Sequence, residues 1–121
     1  MPILDVDFTG PVADNVRRAL ARRIADAAGV VLGSPPRGAW VRVRFVTEDE
    51  YAENGGAEPG VWPVFVRVLG ADPPEGEALA TEARRLTEVI AAACGRPVEN
   101  VHLVYEPPGA GRVSFGGRLR S

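Results

Sequence analysis

Met1-Pro2-Ile3-Leu4-Asp5-Val6-Asp7-Phe8 opens the chain. Leu4, Val6 and Phe8 alternate with Ile3, Asp5 and Asp7, the two-residue period of a strand with one face against a core. Pro2 suits the start of such a strand, where its missing N–H leaves no gap in a hydrogen-bond ladder. If Met1 is trimmed, as it readily is before a small second residue, Pro2 also gains a free secondary amine. That amine is a base and a nucleophile, which a proline inside a chain is not.

Reading outward, the remaining sequence repeats one plan: strand, helix, strand, twice. Thr9-Gly10-Pro11 makes a turn. Val12, Val16, Leu20, Ile24, Ala27 and Val31 then recur at helical spacing, with Arg17, Arg18, Arg22 and Arg23 on the opposite side. Gly33-Ser34-Pro35-Pro36 stops that helix. Residues 40–46 alternate Val41, Val43 and Phe45 with Arg42 and Arg44, a second strand. Residues 47–63, acidic and then glycine-rich, read as a surface loop or loose hairpin. A third strand follows over 64–69. Leu79, Ala83, Leu86, Ile90 and Ala93 mark a second helix that Gly95 ends, and a fourth strand covers 101–105. Val113-Ser114-Phe115 is a short C-terminal strand candidate before Gly116-Gly117.

The second half echoes the first. Pro63 follows Pro2 by 61 residues, Gly95-Arg96-Pro97 follows Gly33-Ser34-Pro35 by 62, and His102 follows Arg42 by 60. The expected fold class is α+β, a two-layer sandwich from a duplicated βαβ unit, with a four-stranded sheet and two helices on one face. A single domain is expected over residues 1–121, with pseudo-repeats 2–46 and 63–105 and a C-terminal tail 106–121. The other sheet face is then bare and needs cover from a partner. By the strand phase it carries Asp5, Asp7, Arg42, Arg44 and His102. The plain structural reading pairs those aspartates with Arg42, Arg44 or Arg67 across strands.

Composition narrows the function. A chain of 121 residues is one domain by length, and so small a core gains from association. A net charge of −2 gives no electrostatic footprint for nucleic acid. No apolar run suits a bilayer and no signal-peptide core is evident, so no membrane association and a cytoplasmic location are expected. Cys94, the one cysteine, closes Ala91-Ala92-Ala93 and reads as packing in a reducing compartment. With a single histidine beside it, a metal site is not expected. All 14 basic residues are arginine, whose fork matches carboxylates.

Taken together, Pro2 behind Met1, the duplicated unit, Val41-Arg42-Val43 before Thr47-Glu48, Asn54-Gly55-Gly56-Ala57-Glu58-Pro59 and Gly111-Arg112-Val113-Ser114-Phe115-Gly116-Gly117 resemble the tautomerase superfamily. This is the group of 4-oxalocrotonate tautomerase and macrophage migration inhibitory factor. The resemblance implies a homotrimer with sites between neighbours, which would cover the bare face. It also implies a cofactor-independent tautomerase or isomerase of a small keto or enol acid, with Pro2 as the catalytic base. Arg42 and His102 match positions that orient a carboxylate or carbonyl. Arg44, an apolar wall from Phe115 or Val113, and loop donors Asn54 and Tyr51 complete the candidates. A free α-amine titrates near ~8, and burial beside guanidinium charge would lower that value. The chain departs from relatives at Val12 and Ser34, where other branches carry arginine or lysine, and at Ala71 and Pro74, where the dehalogenase branch carries two arginines, so dehalogenation is disfavoured. Two alternatives stand beside this one. They are a non-catalytic βαββαβ module binding a small ligand or protein, and a decarboxylase or hydratase of the same superfamily working through Pro2.

Overall fold

The alternating runs form strands and the three-to-four runs form helices because each buries one face on the other. A computed structural model of the chain describes residues 2–121. Two βαβ units follow one another: β1 (Ile3–Thr9), α1 (Asp14–Val31) and β2 (Trp40–Val46), then β3 (Val64–Leu69), α2 (Gly76–Cys94) and β4 (Val101–Tyr105). A small hairpin of β5 (Ser114–Phe115) and β6 (Arg118–Leu119) ends the chain.

The sheet order is β2-β1-β3-β4. Each unit contributes a parallel pair joined across its helix, while β1 and β3 meet antiparallel at the centre. Ile3 lies opposite Leu69 and Phe8 opposite Val64, so the two units run head to tail. Pro2 therefore sits at one end of the sheet and Pro63 at the other.

The core fills the space between one sheet face and the helices. Leu4, Val6, Phe8, Val64, Val66 and Val68 meet Leu20, Ile24, Ala28, Leu86, Ile90 and Ala91 there, all buried. Each large aliphatic side chain so buried contributes roughly 1.5–3 kcal/mol relative to exposure. Val41, Val43 and Phe45 pack against this cluster as their phase requires. The other face carries Asp5, Asp7, Arg42, Arg44, Arg67, His102 and Val104.

Three local differences from the sequence reading have simple causes. Helix α1 begins at Asp14 rather than Val12, because Pro11, Val12 and Ala13 stay outside the helix behind a Gly10 at φ 85°. Val12 still packs on the core. The loop contains a 3-10 turn at Glu48–Glu50, which the Thr47 hydroxyl fastens by donating to Glu50 Oε1 at 2.7 Å. The last strand gains a partner because Gly116 and Gly117 both adopt positive φ, the demand of a two-residue hairpin turn. Among the described residues no helix is long and apolar enough to cross a membrane.

Candidate active site

Pro2 is buried at the head of β1, and its carbonyl accepts the Trp40 N–H at 3.0 Å, which extends the β1–β2 ladder by one bond. It lines a cavity of about 280 Å³ on the helix side of the sheet. Leu32 after α1 and Val68 of β3 supply its apolar walls. Glu82 of α2, Tyr105 of β4, Asp72 of the turn after β3 and Arg120 behind β6 supply its polar groups. The Tyr105 hydroxyl donates to Glu82 Oε2 at 2.9 Å. Burial, and then the Glu82 hydrogen bond, push the Tyr105 phenol well above its ordinary range, so it stays a neutral donor. Arg120 Nη2 donates to Asp72 Oδ2 at 3.0 Å. Met1, whose removal would free the Pro2 amine, lies outside the described residues.

The other candidates lie elsewhere in the chain. Arg42 grips Asp5 with both fork nitrogens, Nε to Oδ1 at 2.7 Å and Nη2 to Oδ2 at 3.0 Å. Arg44 grips Asp7 the same way at 2.8 and 3.3 Å. These hydrogen bonds, and next the aspartate charges, raise both guanidinium pKa values. Arg42 opens with Arg67 and Arg112 onto a separate cavity of about 390 Å³ on the bare face.

His102 is exposed and pairs in register with Phe65, itself neighbour to Asp7. That is roughly 15 Å along the strands from Pro2. Its ring stands 5.6 Å from Phe65, whose other neighbour is Tyr51 at 6.0 Å. Asn54 is exposed on the loop just beyond Tyr51. Phe115 does reach the Pro2 end, edge-on to Trp40 at 5.5 Å, but outside the cavity wall. Within one chain, then, Arg42, Arg44, His102, Asn54 and Phe115 stay out of the Pro2 cavity. Tyr105, Glu82, Asp72 and Arg120, which the sequence reading did not single out, form its polar lining.

The head-to-tail repeat offers a second such corner at Pro63, and it is filled. The Arg96 guanidinium stacks 3.8 Å over the Phe8 ring and donates to the Trp62 carbonyl at 2.6 Å. Trp62 lies so close to Gly10 that a Cβ there would fall 2.4 Å from its ring. Thr9 completes the closure by donating its N–H and hydroxyl to the Pro63 carbonyl. Among the described residues, the Pro2 corner thus borders an open cavity, whereas the Pro63 corner is packed by Trp62, Arg96 and Thr9. Among the described residues no three His, Cys, Asp or Glu side chains come together as a metal site would need.

Neither a protein-family model nor a curated protein matches the sequence. Solved structures do match. A symmetric trimer of wild-type fused 4-OT, 18% identical, superposes with a TM-score of 0.77 over 98% of this chain and 94% of its own. Pt0534 inactivated by 2-oxo-3-pentynoate, 15% identical, gives 0.76 over 98% and 94%. Malonate semialdehyde decarboxylase, described with decarboxylase and hydratase activities, is 18% identical and gives 0.70 over 94% and 90%. At these identities the shared property is the fold: this chain folds as fused 4-OT, Pt0534 and malonate semialdehyde decarboxylase do.

Proposed function

We propose that the protein is a cofactor-independent keto–enol tautomerase of a small keto or enol acid, with the Pro2 amine, freed of Met1, as its base. The observation that carries this reading is the Pro2 cavity, a partly apolar space with one guanidinium, at the corner of the duplicated fold that is left open. The amine would take a proton from the carbon beside the carbonyl and return it to the resulting enolate oxygen. A cation at the site would stabilise the charge that develops meanwhile. Inactivation of Pt0534 by a 2-oxo acid derivative supports a keto-acid substrate class.

The trimers formed by fused 4-OT support a homotrimer here. In that assembly Arg42, Arg44, His102, Asn54 and Phe115 would act on Pro2 from a neighbouring subunit. Arg42 and Arg44 would have to loosen their aspartates to do so.

One observation favours a second reading, decarboxylation or hydration. Glu82 and Asp72 put two carboxylates in the cavity against the single Arg120. Carboxylates favour a protonated neighbouring amine, which acts as an acid rather than a base, whereas burial favours the neutral one.

The test is the mass of the natural protein together with a Pro2→Ala variant assayed on the enol of an arylpyruvate. The expected result is a mass lacking methionine and a rate reduced by about a hundredfold or more in the variant. Full activity in the variant would sink the proposal. A pH–rate profile separates the two readings, since a base gains activity as pH rises through the amine pKa and an acid loses it.

A further inference from the structure

We propose that Arg120 seats the substrate carboxylate beside Pro2, taking it in exchange for Asp72; this rests on the reading of Pro2 as the reacting group. Arg120 is the cation lining the Pro2 cavity within the chain, and its partner is weakly held. The Asp72 side chain is 70% exposed and receives only Nη2. By contrast Asp5 and Asp7 are about half as exposed, each takes a two-nitrogen fork, and strand register fixes both partners. An exposed single-contact pair contributes little, so a substrate carboxylate can displace Asp72 at low cost.

The backbone of Arg120 is nonetheless fixed relative to Pro2. Its N–H donates to the Val113 carbonyl at 2.8 Å, and its carbonyl accepts the Gly111 N–H. The hairpin that carries it rests on Trp40 through Phe115, and Trp40 in turn binds the Pro2 carbonyl. A fixed backbone thus carries a guanidinium that donates from Nη1 to the Ser121 carbonyl and from Nη2 to Asp72, and its planar fork suits a carboxylate. Glu82 repels a second anion from the α2 side of the cavity. The carboxylate is thereby directed to Arg120, and the apolar body to Leu32 and Val68. In a 2-keto acid the carbonyl adjoins the carboxylate, so seating one end sets where the reacting carbon lies.

The experiment compares a 2-keto acid with its methyl ester as substrates of wild type, Arg120→Gln, Arg120→Lys and Asp72→Asn. Arg120→Gln is expected to raise KM for the acid about 10- to 100-fold, the span of one charge-assisted hydrogen-bonded pair, and to leave the ester's KM nearly unchanged. Arg120→Lys should recover part of the loss, and Asp72→Asn should lower the acid's KM. An acid-to-ester ratio in Arg120→Gln equal to that of wild type overturns the proposal, as does a raised acid KM in Asp72→Asn. Calorimetric binding of the same acid to Pro2→Ala protein, with and without Arg120→Gln, needs no turnover. It therefore tests the carboxylate seat even where the reading of Pro2 as base fails.

Discussion

Cys94, the last residue of α2, is 7% exposed, and burial pushes its thiol from 9.0 up to about 11. The unfolded chain releases this proton near pH 9 while the native thiol keeps it, so the native state binds more protons between those values. Stability therefore falls as pH climbs from 9 to about 11, by roughly 2 kcal/mol, and levels off above. Tyr105 adds a fall in the same direction beginning near its ordinary value of 10.0, since its phenol is raised too. Urea unfolding at pH 8.5 and 10.5 should show this decline, weakened in Cys94→Ala and again in Tyr105→Phe; a flat profile in the parent protein would contradict the burial argument. Arg42 illustrates the opposite environment. It is exposed and already neutralised by Asp5, so in a lone chain it cannot supply the free positive charge that would lower the Pro2 pKa.

Helix α1 begins without a side-chain cap, because its N-cap residue is Ala13. The Ala13 backbone is extended, at φ −71° and ψ 147°, as a capping residue requires. An aspartate there should accept a hydrogen bond from a free first-turn N–H and favour the helix dipole. Ala13→Asp is therefore expected to stabilise by about 1 kcal/mol, read as a Tm higher by a few degrees at one protein concentration. An unchanged or lower Tm would mean that Asp14 already satisfies this end. Element by element, the fold was legible because each strand and helix buries one face, and that periodicity is written in Val41-Arg42-Val43-Arg44-Phe45 or Leu86 and Ile90. The cavity lining was not. Arg120 and Asp72 stand 48 residues apart and Tyr105 and Glu82 stand 23 apart. Neither pair has a local pattern, and both depend on where a turn and a glycine hairpin aim the chain. His102 lies away from Pro2 within the chain for a related reason. As the repeat mate of Arg42 it belongs to the other unit, and the antiparallel centre sends that unit the opposite way.

At the scale of the whole molecule, both helices cover one sheet face, and β2 and β4 leave two edges with unpaired backbone groups. On the uncovered side the charges are internally matched by Arg42–Asp5, Arg44–Asp7 and Arg67–Glu106. Val104, on edge strand β4 and 49% exposed, is an apolar exception set beside Arg67 in the register. In the proposed trimer this edge meets a neighbour, and His102, two residues away on the same face, is carried toward that neighbour's Pro2 corner. Val104→Glu would bury a carboxylate that costs several kcal/mol unless it finds a partner. Native mass spectrometry at micromolar concentration is expected to find three copies in the wild type and mostly single chains in Val104→Glu. Turnover of a keto acid should fall in step with the trimer fraction, whereas binding of the carboxylate at Arg120, a seat complete within one chain, should weaken much less. A fully active single chain would show that no neighbour's residue is needed, and His102 would then have no part in the reaction. A Val104→Glu trimer as stable as wild type would place the interface on another surface.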